Sequence, residues 1–233
     1  MIAFRNESIN EGLMASKVAQ LFSGADLARI QAAVAEAEGK TSGEIVPFVV
    51  ERSDDYEVAE WRGGALLGTA VAIVFAALHE LTEIWLPVNF AGLVAVSIVA
   101  FVAGMLGARF IPTVTRLLAG RGLMTHHAGR RAAEAFIAEE VFQTRDRTGI
   151  LLFISLLERT VLVIGDAGIN ARVQKTDWDG IVAMIVDGLR KGTPADGMVS
   201  AIGACGTLLA HQGVTRRSDD ADELSDGLRM SDR

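Results

Sequence analysis

The side chains of this chain best placed for chemistry are a few carboxylates and one Arg-Thr pair. Glu44, Asp146, Asp166 and Asp177 fall in loops at the ends of short apolar runs. Calcium and magnesium take several oxygen ligands, and such loops can supply them. Glu44, Asp146 and Asp166 are the candidate metal ligands, with Asp177 as a further oxygen source. Asp166 directly follows an apolar run and is flanked by Gly165 and Gly168, which permit close backbone approach. A plainer reading stands beside this one, with Asp166 an ordinary turn residue and Glu44 a surface charge. Arg147 and Thr148, just before Gly149, are candidate anion ligands, because a guanidinium suits phosphate. Here the plainer reading is an arginine on a solvated loop and a Thr-Gly strand start.

Other chemistries find little support. The chain has no Ser-His-Asp spacing, no phosphate-binding glycine loop and no HExxH motif. Its one cysteine, Cys205, excludes an intrachain disulfide and CxxC zinc spacing. His126 and His127 are adjacent, so on a helix they point about 100° apart and make a poor metal pair. They read as surface or membrane-interface residues. Glu158 and Arg159 read as turn residues, and Trp178 as a core anchor.

The elements that must position these groups follow from periodicity. Ser23-Gly24-Ala25-Asp26 is a helix N-cap signal, after which Leu27, Ile30, Val34 and Ala37 keep helical spacing up to Gly39. Ile45 to Val50 is a strand, and Pro47 within it marks an edge or bulge. Val114–Arg121 is a short helix along a membrane surface, and Thr125–Phe142 a longer helix. Gly149–Leu156 and Thr160–Gly165 are apolar runs separated only by Leu157, Glu158 and Arg159, the spacing of an antiparallel hairpin. Their near-continuous apolar character predicts a sheet covered on both faces. Two helices follow, one capped by Thr176 or Asp177 and one opened by Thr193-Pro194. A lone strand at 44–50 is not stable by itself and must join the later hairpin in one α/β domain. Residues 214–233 lack apolar periodicity and read as a disordered acidic tail, and residues 1–22 as a short helix or loose arm.

That α/β domain is interrupted. Gly63–Leu78 and Ile84–Ala108 contain no formal charge. About 17–25 apolar residues let a helix cross a bilayer, so residues 62–110 read as a transmembrane hairpin turning at His79–Glu83. A buried helical hairpin in a soluble core is the alternative. Gly64, Gly68, Ala72 and Ala76 share one face of the first span, and Gly92, Ala100, Gly104 and Ala108 one face of the second. Faces of this kind let helices approach closely in lipid. Arg62 precedes the pair and Arg109, Arg116, Arg121, Arg130 and Arg131 follow it, while the connecting loop holds Glu80 and Glu83. The positive-inside rule then places both termini and the globular part in the cytoplasm, at the cell inner membrane. The apolar fraction of 50% and mean hydropathy of +0.33 arise mostly from this hairpin. A net charge of −7 argues against nonspecific nucleic-acid binding.

The ordered set Thr41-Ser42-Gly43-Glu44-Ile45, Arg147-Thr148-Gly149-Ile150 with the run to Leu156, Glu158-Arg159-Thr160-Val161, Gly165-Asp166-Ala167-Gly168-Ile169 and Trp178 resembles the TPM domain family. It is most similar to the bacterial membrane-protein branch with a transmembrane hairpin inside the domain, over roughly residues 23–212. The resemblance implies an α/β/α sandwich around a small mixed sheet. It also implies divalent-cation binding of the kind some relatives show, and a role as an accessory module of a membrane complex. Some plant relatives are linked to acid phosphatase activity. Many relatives carry Asp-Asn-Gly where this chain has Arg147-Thr148-Gly149, a departure at the expected ligand position. The expected function is therefore a membrane-anchored, partner-binding or accessory module, with calcium or magnesium as the ion. A metal-assisted acid phosphatase-like hydrolase is the alternative. Expected partners are the bilayer, a membrane protein or complex, and a second copy through the small-residue faces. Charge-free spans disfavour a transporter.

Overall fold

The computed structural model describes residues 17–81, 90–216 and 224–232. In chain order the elements are α1 (Lys17–Leu21), α2 (Gly24–Glu38), β1 (Glu44–Val50), α3 (Glu57–Leu81), α4 (Phe90–Phe110), α5 (Pro112–Ala119) and α6 (Arg121–Ala138). They continue with β2 (Gly149–Ser155), β3 (Thr160–Gly165), α7 (Ala167–Asn170), α8 (Asp177–Lys191), α9 (Pro194–His211) and β4 (Arg229–Ser231). The chain divides into two compact units, residues 54–127 and the remainder.

The larger unit is a mixed sheet in the order β3-β2-β1-β4, with helices on both faces. The expected hairpin is present: β2 and β3 are antiparallel, with Ser155 opposite Thr160 and Ile150 opposite Gly165. The strand at Glu44–Val50 joins it in parallel, Glu44 opposite Gly149. All seven residues of β1 and of β2 are buried, as their unbroken apolar runs require. Ile45, Val49, Ile150, Leu152 and Ile154 face α2, α8 and α9, while Val46, Phe48, Leu151 and Phe153 face Ala132, Ala135 and Val141. Phe153 and its neighbours each contribute about 1.5–3 kcal/mol by leaving water.

Pro47 sits where its missing N–H costs nothing. Glu44 N–H donates toward β2, to Thr148 O, so in a parallel ladder residues 45, 47 and 49 point the other way. β4 covers that side only from Phe48 to Val50. The N–H of Ile45, on the open stretch, donates to Glu38 Oε1 at 2.8 Å.

Several boundaries differ from the sequence reading. The stretch from 214 to 233 is not a disordered tail throughout: Arg229–Ser231 forms β4, and Leu224 and Leu228 pack on opposite sides of the sheet. Arg229 pairs with Glu139 at 3.1 Å, which a search for apolar periodicity does not see. Of the N-terminal arm, residues 1–16 lie outside the described residues, whereas Val18 and Phe22 are buried in the core. The helix expected at Thr125–Phe142 runs instead from Arg121 to Ala138. Glu140 takes the left-handed conformation (φ 54°) normally given to glycine after a helix, and Val141 N–H closes the end on Phe136 O at 3.1 Å. Thr176 precedes α8 but makes no side-chain cap bond; Asp177 instead accepts from Gln174 N–H at 2.9 Å. The Ser23–Asp26 capping box of α2 is complete, and the Ser23 hydroxyl bonded to Asp26 holds that carboxyl below its usual range.

In α9, Cys205 is fully buried, and burial pushes its thiol up to about 12. Since the thiolate is the reactive form, labelling at pH 8 is expected only through unfolding, so its rate should track denaturant. The stabilising contribution of the neutral thiol is intact below pH 9 and is lost as pH rises through about 12.

The smaller unit contains α3 and α4, both long and apolar enough to cross a membrane. Only 17% and 6% of their most apolar windows are buried, so these are not core helices of that unit. Their small residues face each other: a Cβ on Gly63 would lie 2.6 Å from Gly104 O, and one on Gly68 3.2 Å from Ser97 O. Large apolar side chains point outward, among them Leu66 and Ile73 at 63% exposure and Val99 at 68%. α3 begins at Glu57, ahead of the expected entry at 62, and continues to Leu81, into the expected turn at His79–Glu83; residues 82–89 lie outside the described residues. Arg109 pairs with Glu60 at 3.1 Å, and Arg62 donates to Leu118 O at 2.6 Å. His127 contacts Asp54 at 2.6 Å and meets the exposed His126 edge to face, with ring centroids 5.6 Å apart.

Candidate functional site

Asp166 ends β3 and begins the single turn α7. One of its oxygens, Oδ1, accepts the Ala167 N–H at 2.7 Å, a short N-cap. Arg147 closes on both oxygens of the same carboxylate: Nη2 to Oδ1 at 2.9 Å and Nε to Oδ2 at 2.7 Å. Asp166 is 5% exposed and Arg147 54%, so the pair reaches from a buried acid outward to solvent. The guanidinium also lies 5.8 Å over the Phe142 ring. Nη2–Oδ1 is the hydrogen bond of the pair, and Nε–Oδ2 adds an ion-pair contact without hydrogen-bond geometry.

The loop before β2 is built to deliver Arg147 there. Thr148 N–H donates to Thr144 Oγ1 at 2.8 Å, and Thr148 Oγ1 donates to Ser42 O at 2.7 Å. Arg147 itself adopts φ 57°, and its carbonyl accepts Gly168 N–H at 2.9 Å. Gly168 is required: a Cβ would overlap the Asp146 carbonyl oxygen and come within 2.7 Å of that of Arg147. The Thr41-Ser42-Gly43-Glu44 and Arg147-Thr148-Gly149 segments thus brace one another at the start of the parallel pair. Thr148, 1% exposed, is a tie between strands in this arrangement.

Asp166 and Arg147, read separately as cation and anion ligands, therefore hold each other. Glu44 lies at the same end of the sheet, 6% exposed at the head of β1, and Asp146 is exposed on the loop. Among the described residues no group of three or more His, Cys, Asp or Glu side chains is placed to hold one metal ion. For a divalent cation to use Asp166, the guanidinium must first swing away. Arg147 is half-exposed, whereas Asp166 Oδ2 is itself buried and makes no hydrogen bond.

A second polar cluster lies at the other end of the strands. Ser53 N–H donates to Glu158 Oε1 at 2.8 Å, and the Ser155 hydroxyl donates to Glu158 Oε2. The Ser53 and Ser155 hydroxyls are themselves 2.8 Å apart. All three residues are buried. Glu158 was read as a turn residue, which it is, but its side chain turns inward. The available signal was Ser155, the one polar residue in an otherwise apolar strand, three positions before an acid.

The chain matches no protein-family model and no curated protein. Its structure is similar to the NMR structure of BA42 protein from the psychrophilic bacteria Bizionia argentinensis sp. nov.. The TM-score is 0.54 at 19% sequence identity, covering 90% of this chain and 94% of the other. The likeness is one of fold.

Proposed function

We propose that this chain is a membrane-anchored, TPM-like accessory module whose α/β unit binds a membrane protein or complex, with calcium or magnesium modulating the Asp166 corner. The observation that carries the anchoring is the inside-out arrangement of α3 and α4. Small residues pack between the helices and large apolar ones face outward, which suits lipid rather than water. The arginines flanking the pair favour a cytoplasmic α/β unit and cytoplasmic termini. The bracing of Asp166 by Arg147 supports a gated ion site, in which a residue of this chain occupies the carboxylate until a cation displaces it.

The test is titration of calcium and magnesium into the full chain in phosphatidylcholine nanodiscs, followed by crosslinking in native membranes with and without the ion. Saturable binding is expected, weakened by Asp166→Asn. Arg147→Asn should tighten it about tenfold, because a competing charge is removed, and asparagine tolerates the left-handed backbone. No saturable binding in either the natural chain or Arg147→Asn would remove the ion from the proposal. The absence of any reproducible crosslink from the α/β unit would remove the partner.

A further inference from the structure

A pocket of about 500 Å³ opens beside the β2–β3 turn, within the α/β unit. It is lined by Leu156, Val161, Val186 and Leu189, and by Ser155 at the end of β2. Arg159 and Arg190 are its charged lining residues, and among the described residues no carboxylate lines it. Glu158, next in sequence, is turned away into its bonds with Ser53 and Ser155. Three other arginines of this unit pair with acids: Arg29 with Asp196, Arg147 with Asp166 and Arg229 with Glu139. The guanidinium groups of Arg159 and Arg190 have no such partner among the described residues.

The backbone adds an independent observation. Arg159 occupies the last position of the four-residue turn, 156–159, with φ 53°, a left-handed conformation that favours glycine. Non-glycine residues held in that region are concentrated at functional positions. The residue that tolerates this strain also supplies one of the two cations lining the pocket.

We propose that this pocket binds a small amphiphilic anion. A phosphate or carboxylate lies between Arg159 and Arg190, and an apolar body of several carbons lies against Leu156, Val161, Val186 and Leu189. The volume falls within the roughly 300–1,000 Å³ of small-molecule sites, and apolar walls with a few convergent polar groups are their usual chemistry. Arginine pairs match the flat, multi-oxygen head of either anion. This site is separate from the Asp166 corner and does not rest on the role proposed for it.

The probe is octyl phosphate, titrated calorimetrically into the full chain in phosphatidylcholine nanodiscs, with empty nanodiscs subtracted. Octanoate, octanol and inorganic phosphate are the comparisons. Saturable binding of octyl phosphate is expected, at least about tenfold tighter than octanol or inorganic phosphate, since each lacks one half of the ligand. Arg159→Gly, which relieves the backbone, and Arg190→Gln, on an exposed helix face, should each weaken it about tenfold. Together they should remove it, with circular dichroism unchanged. Replacing part of the lipid with phosphatidic acid distinguishes the natural source. A fall in apparent octyl phosphate affinity identifies a bilayer lipid as competitor, and an unchanged value identifies a soluble ligand. No saturable binding of octyl phosphate or octanoate, or equal binding by the folded double variant, would overturn the proposal.

Discussion

Replacing Gly149 by alanine is expected to destabilise the α/β unit by about 3 kcal/mol or more, among the largest effects of a single methyl group in this chain. A Cβ at this position would overlap the carbonyl oxygen of Val141, lie 2.8 Å from Val141 Cγ1 and 3.0 Å from its carbonyl carbon. Two of those three atoms belong to the backbone, so no rotamer change relieves the overlap. Val141 cannot retreat easily, because its N–H is fixed to Phe136 O and the preceding Glu140 is already in the left-handed region. Gly149 cannot retreat either. It pairs with Glu44 in β1, and its carbonyl accepts Asp166 N–H at 2.9 Å. The strand start must shift, and with it the Thr148 tie to Ser42 and the delivery of Arg147 to Asp166. A domain of this size has about 5–15 kcal/mol of stability in total, so the loss should be plain in denaturant unfolding followed by circular dichroism. Gly180→Ala is the control. Nothing lies within 4 Å of its missing Cβ, and alanine in a helix interior should gain up to about 1 kcal/mol. A cost below about 1 kcal/mol for Gly149→Ala would show that the approach of Val141 is not a fixed feature of the fold.

The meeting of Arg147 with Asp166 shows how far the sequence could be read. The two are 19 residues apart and read as holding opposite ligands, yet the short β2–β3 turn already determines their encounter. With Ser155 opposite Thr160, the antiparallel register brings the residues just before β2 alongside those just after β3. The parallel pairing of β1 with β2 is of another kind. The whole 54–127 unit lies between those strands, so no local rule sets its register. β4 was illegible because three residues in a polar stretch carry no alternation, and a parallel addition to β1 draws on β1's free edge rather than on its own composition. The small-residue faces of the hairpin were visible at once, since their four-residue spacing needs no tertiary information. Gly68 and Gly104 of those faces meet the neighbouring helix of the same chain, at Ser97 and Gly63, whereas Gly64 meets the side chains of Phe101 and Met105. The Ser53–Ser155–Glu158 cluster was hidden for the opposite reason: a charged residue in a tight turn is ordinarily solvated, and only burial distinguishes this one.

Glu158 is accordingly the second site where a large effect is expected, and the chemistry of the replacement should decide its size. Its two oxygens accept from Ser53 N–H and from the Ser155 hydroxyl, in a buried location. Glu158→Ala leaves both donors without that acceptor. An unsatisfied buried donor costs about 1–3 kcal/mol, so a loss of about 3 kcal/mol is expected for the pair. Glu158→Gln differs in a way that hydrogen-bond counting predicts. The amide oxygen can take over from Oε1 and accept Ser53 N–H. The amide nitrogen, in place of Oε2, is a donor, and Ser155 must become its acceptor. Ser155 can do so because its hydroxyl proton has another destination, the Ser53 hydroxyl 2.8 Å away, in a contact where either oxygen can donate. The Ser53 hydroxyl proton, which can no longer go to Ser155, and the second amide hydrogen are left over, so the glutamine variant should lose about 1–2 kcal/mol, less than alanine because Ser53 N–H keeps its acceptor. Ser53→Ala combined with Glu158→Gln then measures, in a double-mutant cycle, how strongly the Ser53 hydroxyl is coupled to this rearrangement. Equal destabilisation by alanine and glutamine would mean that the cluster depends on the carboxylate charge itself, and that the rotatable chain of hydroxyls is not what stabilises the turn carrying Arg159.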